Sequence, residues 1–254
     1  MNLIYNLIIA FAMYSKIPMP HIDWTEERMR YVFCFFPVIG AVIGAVMTLW
    51  VHVGMRITGN EDLFAAILVL IPIIITGGIH FDGFLDTCDA LSSYKTMEEK
   101  LEILKDSHAG AFAILMGCCY FVLNYGVFHA VDMRAVRLLA IGYALSRAFS
   151  GLAVVVFKKA KKSGLAATFS DSAQKKTVAV TMIIYIVACA VLMVLTDPVI
   201  GTLCFATALL VFAWYRYMSY RKFGGITGDL AGFFLQVCEL SMAFVTVIAM
   251  HLIG

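Results

Sequence analysis

The chain predicts an all-α fold, a polytopic integral membrane helical bundle of about seven spanning helices, built as a single domain over residues 1–254. Three observations carry this expectation. Of its 254 residues, 62% are hydrophobic and 14% charged, with a mean hydropathy of +0.89. Soluble domains carry about 25% charged residues, so this chain lacks the polar surface to face water. Apolar stretches of about twenty residues recur along its length, as helices that cross a ~30 Å hydrocarbon core require. Basic residues also collect in alternate connecting segments.

Leu3–Tyr14 is apolar but too short to cross, so it reads as an N-terminal interfacial or re-entrant helix, closed by Pro18 and Pro20. It has neither a basic leading region nor a small-residue cleavage site, and no signal peptide is expected. Spanning helices are predicted over Tyr31–Val53, Asp62–Ile79, Ala109–Val131, Leu138–Phe157, Thr177–Leu195, Val199–Tyr215 and Leu230–Ile253. Pro37, Pro72 and Pro198 lie in or beside these helices and mark kinks or ends. Thr96 and Glu99 form a capping-box pattern that starts a short helix near Met97. The seven cysteines show no C-x-x-C spacing and read as small apolar helix residues.

The basic residues fix an orientation. One set of connecting segments holds 15 Lys and Arg residues, among them Lys16, Lys95, Lys105, Lys158, Lys159, Lys161, Lys162 and Lys222. The alternate set holds 3: Arg56, Arg134 and Arg137. Cytoplasmic loops of membrane proteins are the basic ones, so the N-terminus and every motif-bearing loop should face the cytoplasm.

The chemistry concentrates between Gly77 and Asp106. Asp82, Asp86 and Asp89 stand at i, i+4 and i+7, which places them on one helix face. Three carboxylates so close repel one another, and without a counter-ion at least one would take up a proton. A hard divalent cation relieves that repulsion, because magnesium takes carboxylate oxygens and leaves the rest of its shell to water and phosphate. The alternative is an acidic exposed face. Asp106 can join this group as a ligand or cap the third spanning helix. His80, two residues before Asp82, is a catalytic candidate or an interfacial residue, since magnesium seldom chooses imidazole.

Arg147 and Glu239 each lie ten residues from a cytoplasmic helix end. At 1.5 Å per residue both are ~15 Å deep, near the bilayer midplane. Charges there pair with each other or line a polar cavity, so the two are either a structural ion pair or direct ligands of substrate or metal. The Lys158–Lys162 and Lys175–Lys176 clusters suit orientation and contact with anionic lipid, or steering of a phosphorylated substrate. Gly77-Gly78-Ile79-x-x-Asp82 recurs as Gly224-Gly225-Ile226-x-x-Asp229, and paired glycines let backbone N–H groups approach an anion. No nucleic-acid motif, Ser-His-Asp or Cys-His arrangement competes. The residues alone therefore imply a metal-dependent phosphoryl-type transferase in a membrane.

Nearly the whole chain resembles the cobalamin synthase family, the adenosylcobinamide-GDP ribazoletransferases. The resemblance rests on Ser15-Lys16-Ile17-Pro18, Phe36-Pro37-Val38-Ile39-Gly40, the run from Thr76 to Asp89, Leu104-Lys105-Asp106-Ser107, Leu145-Ser146-Arg147 and Gly224-Gly225-Ile226-Thr227-Gly228-Asp229. Two departures are Ala90-Leu91 after Asp89 and His108, which stands where the family often has arginine. The resemblance implies attack by the hydroxyl of α-ribazole or its 5′-phosphate on the cobinamide-side phosphorus of adenosylcobinamide-GDP, with GMP leaving and Mg2+ assisting, at the inner membrane of a prokaryote. It points to Asp82, Asp86, Asp106 and His80 as catalytic, and to Gly77, Gly78, Lys105, Ser107, Arg147, Gly225, Thr227 and Gly228 as substrate-binding. Asp82, Asp86, Asp89, Asp106, Asp229 and Glu239 are the implied metal ligands. The expected partners are the corrinoid and α-ribazole substrates and membrane lipid, with no nucleic acid; a homo-oligomer stays open.

Two rival classes remain. A CDP-alcohol phosphatidyltransferase or prenyltransferase also sets aspartates on magnesium and a diphosphate, but the former needs Ala-Arg where this chain has Leu85-Asp86. An ion-coupled transporter would place its carboxylates at mid-membrane, whereas most of these cluster at one face.

Overall fold

The computed structural model describes residues 3–106, 108–160 and 174–253. Eleven α-helices occur among the described residues: α1 (Leu3–Tyr14), α2 (Glu26–Met29), α3 (Phe36–Thr58), α4 (Glu61–Thr76), α5 (Ile79–Ser92), α6 (Met97–Ile103), α7 (Ala111–His129), α8 (Met133–Val156), α9 (Lys175–Thr196), α10 (Pro198–Phe223) and α11 (Gly228–Ile253). A 3-10 turn over Val32–Phe35 links α2 to α3. The all-α expectation holds: no strand forms among the described residues, only an isolated parallel bridge between Lys159 and Ile226.

Polar side chains start the helices where the sequence places them. Asn60 accepts from the Leu63 N–H at 2.8 Å to begin α4. Asp132 accepts from Arg134 and Ala135 to begin α8, and Asp197 from Val199 and Ile200 to begin α10. Thr96 and Glu99 close the expected capping box on α6. Each such cap satisfies N–H groups that a helix end leaves without partners.

Among the described residues, six helical segments are long and apolar enough to cross a membrane, and α4 with α5 makes a seventh if the bent pair is one span. The predicted Asp62–Ile79 span is corrected here: α4 stops at Thr76 and the chain turns by 97° into α5. Hydropathy runs unbroken through Ile79, so it cannot register a turn made by glycine. The Tyr31–Val53 span likewise begins later, after the 3-10 turn, and runs to Thr58. The helix predicted to end at Tyr215 continues to Phe223, because Arg216, Arg221 and Lys222 are good helix formers once past the apolar region.

At the centre, α3 and α8 pack closely, with Gly40 on the Tyr143 backbone and Gly44 on Ala140. Small residues let helices approach where no hydrophobic effect drives them together. The outward faces of α7, α9 and α10 carry exposed Val122, Ile184, Leu195 and Leu210. At one end of the bundle, Asp62 meets Tyr125 and His129, and Arg134 meets Asp197. The opposite end holds the α4–α5, α6–α7 and α10–α11 connections and Lys158–Lys159 after α8, and with them the glycine pairs and the clustered aspartates.

Candidate active site

The two glycine pairs make corners. Gly77 takes φ +66° and Gly78 φ +78°, left-handed conformations that favour glycine. Their N–H groups bond back to Ile74 O at 3.3 Å and Ile73 O at 3.0 Å, closing α4. Gly224 and Gly225 close α10 in the same way, both on Ser219 O. The expectation that these N–H groups approach an anion is therefore corrected: Gly77, Gly78 and Gly225 spend them on ending a helix. Each corner instead aims a new helix that carries an aspartate near its start. Thr227 begins the second one, accepting from the Leu230 N–H at 3.2 Å and donating to Asp229 at 3.4 Å. Gly228, its first residue, is exposed.

The two new helices, α5 and α11, cross at glycines. A Cβ on Gly83 would fall 2.7 Å from the Asp229 carbonyl oxygen, and one on Gly232 would fall 2.8 Å from that of His80. No side chain fits in either gap. Phe84 stacks on Phe233 beside the crossing, with ring centroids 5.6 Å apart. This contact joins the two halves of the repeated motif, which sequence inspection left unexplained. Gly83 and Gly232 are the positions that inspection missed; a glycine one residue after Asp82 and another three after Asp229 were the available signal.

The predicted aspartate stripe forms on α5. Asp82 is exposed, while Asp86 and Asp89 are half-buried. The charges of Asp82, Asp229, Asp89 and Asp106 all bear on Asp86, so five carboxylates from three segments share one neighbourhood. Their roles differ. Asp89 accepts hydrogen bonds from Gly110 N–H and Ala113 N–H at the start of α7. It, and not Asp106, caps that helix, which corrects the alternative reading of Asp106. The exposed Asp106 carboxyl is held below the usual carboxylate range by the His108 ring, 2.7 Å away, and by the His108 N–H. Lys105 is exposed and pairs with Glu102 at 2.6 Å. Ser107 lies outside the described residues, as do Lys161, Lys162 and the polar run to residue 173.

Two further candidates lie inside the bundle. Arg147 and Glu239 meet at 2.6 Å, both buried, with Ser146 donating to the same Glu239 oxygen at 2.8 Å. Arg147 also donates to the Tyr143 carbonyl at 2.9 Å. His80 is 5% exposed, lies between Tyr14 and Phe36, and its Nε2 has no partner among the described residues.

The donor chemistry fits a magnesium ion. All five clustered groups are hard carboxylates, and their mutual charge calls for a cation. No three His, Cys, Asp or Glu groups among the described residues converge on one point. Asp89 is committed to the start of α7 and Glu239 to Arg147, so neither is set to hold such an ion.

A bent pair of apolar helices carrying carboxylates onto one end of a bundle of membrane-length helices defines a polytopic membrane protein with an acidic site, and the relatives of this chain are transferases. The chain belongs to the cobalamin-5-phosphate synthase family, whose family model matches residues 6–247. It is 49% identical over 249 residues to the adenosylcobinamide-GDP ribazoletransferase of Lachnoclostridium phytofermentans, covering 98% of this chain and 95% of that protein. The protein of the same name from Clostridium botulinum (strain Alaska E43 / Type E3) is 32% identical over 244 residues, covering 94% and 95%. That from a Geobacillus species is 32% identical over 240 residues, covering 92% of each chain. No solved structure matches.

Proposed function

We propose that this protein joins adenosylcobinamide-GDP to α-ribazole, or to its 5′-phosphate, giving adenosylcobalamin or its 5′-phosphate and releasing GMP. The observation that carries this reading is the gathering of Asp82, Asp86 and Asp229 at the glycine crossing of α5 and α11, in a chain of this family. The ribazole hydroxyl attacks the corrinoid-side phosphorus. The bond from that phosphorus to the oxygen shared with the GMP phosphate breaks, and GMP departs with that oxygen. One carboxylate of the cluster takes the hydroxyl proton.

One or two of Asp82, Asp86, Asp106 and Asp229 would hold magnesium, which when bound neutralises charge on the diphosphate. The rigid crossing keeps the carboxylates in place without a reorganisation step, which is how preorganised charge lowers a barrier. The basic asymmetry of the connecting segments supports an inner-membrane protein whose acidic end faces the cytoplasm, with lipid covering the apolar faces of α7, α9 and α10.

The deciding experiment is GMP release by the detergent-purified protein supplied with magnesium, adenosylcobinamide-GDP and α-ribazole. Release that needs all three supports the reading. Folded protein that yields no GMP from either α-ribazole or its 5′-phosphate overturns it.

A further inference from the structure

Lys16 is the residue for which neither the fold nor the proposed chemistry has yet accounted. The segment that bears it is fixed: Ser15 bonds to the Phe11 carbonyl through both its N–H, at 2.9 Å, and its hydroxyl, at 2.7 Å. The Lys16 N–H then donates to Ile75 O at 2.7 Å, on the last turn of α4. From there the side chain runs across Gly77. A Cβ on Gly77 would fall 2.5 Å from Lys16 Cγ and collide with Cε as well. Gly77 is thus glycine for two reasons, its left-handed φ and the aliphatic stem laid over it.

This arrangement brings a cation to the wrong end of a helix. The corner is the N-terminal, electropositive end of α5, and its cap residue Gly78 has no side chain to offer the first N–H groups. Lys16 is exposed and forms no ion pair among the described residues, although Asp82 stands on the first turn of that helix. On the same turn, His80 Nε2 is buried without a partner, its ring 6.1 Å from that of Tyr14, two residues before Lys16. A held cation, a helix N-terminus and an unpartnered buried imidazole together call for an anion with several oxygens.

We propose that Lys16 is a phosphate-binding residue of the site and takes the diphosphate of the nucleotide-linked substrate. Identifying the anion as that diphosphate rests on the function proposed above; the anion site itself does not. A phospholipid headgroup offers the same chemistry, so the test separates the two.

The probe is inorganic pyrophosphate with magnesium, titrated calorimetrically into the lipid-free, detergent-purified chain. Lys16→Met should raise the dissociation constant roughly tenfold or more, as loss of a charged hydrogen bond does. Lys16→Arg should bind within a few-fold of the parent, and the exposed Lys95→Met should match it. Folded Lys16→Met that binds pyrophosphate normally, or a parent chain that binds none, overturns the proposal. So does a Lys16→Met that loses only its association with phosphatidylglycerol vesicles, which would assign the residue to lipid. Lys16-dependent pyrophosphate binding in a protein that releases no GMP would overturn the proposed reaction and leave the anion site standing.

Discussion

Arg147 and Glu239 offer a clean separation of structure from chemistry. Their 2.6 Å contact is buried on both sides, at 1% and 5% side-chain exposure. Two unit charges about 4 Å apart attract by ~4 kcal/mol at an effective dielectric of 20. Removing one partner forfeits this and leaves the other charge buried and uncompensated, a loss of ~3–5 kcal/mol. Arg147→Met and Glu239→Gln should each destabilise the protein on that scale. The double variant replaces the pair by groups of similar volume, and the introduced glutamine keeps an acceptor for Ser146. It should recover most of the loss, giving a coupling energy of at least ~2 kcal/mol in a double-mutant cycle. The assay is thermal or denaturant unfolding in detergent for all four proteins, with GMP release measured alongside. Additive destabilisation would refute the pair as the main interaction of either residue. A double variant that folds well but has lost turnover would show that one of them touches substrate or metal.

At the carboxylate cluster, Asp82→Asn and Asp86→Asn should fold and insert, since each relieves repulsion, while GMP release falls by ~10²–10³. Near-normal turnover in both would reduce the stripe to an acidic surface. Asp89→Ala should behave differently, losing ~1 kcal/mol of stability because α7 loses its cap; unchanged unfolding would contradict that assignment. Gly83→Ala places a methyl 2.7 Å from the Asp229 carbonyl oxygen and should force α5 and α11 apart, at ~1–3 kcal/mol, with lower turnover. At the opposite end, the Ile200 N–H and then Arg134 hold the Asp197 carboxyl below the ordinary carboxylate range. A depressed folded-state pKa stabilises fully above the unfolded value, about 4, and this contribution fades as pH falls through the lower folded value. The stability gap between the parent and Asp197→Asn should therefore be constant near about pH 6 and shrink below about pH 4.

Much of the architecture was legible because it depends on local rules. Helix α1 occupies the expected Leu3–Tyr14, and Thr96 with Glu99 caps α6 as their spacing implies. The Asp82–Asp86–Asp89 face follows from helical periodicity, and the meeting of Arg147 with Glu239 follows from their equal depth. At the start of α7 the reading failed because a distant segment had intervened. Asp106 is well placed in sequence to cap α7, yet Asp89 does so from another helix. The glycine pairs looked like anion cradles because their flexibility was visible and the carbonyls that consume their N–H groups were not.

By itself, then, the sequence determined the all-α class, where the apolar stretches and the charges lie, and which aspartates share one helix face. Hydropathy, capping and helical period are properties of neighbours in the chain, so they survive without coordinates. Only the tertiary structure decided that α4 and α5 meet at 97°, that Gly83 and Gly232 let α5 and α11 touch, and that Lys16 lies across Gly77. The last two are contacts between residues tens to more than a hundred positions apart. They depend on whether two backbones can approach within van der Waals distance, a condition that no local pattern encodes.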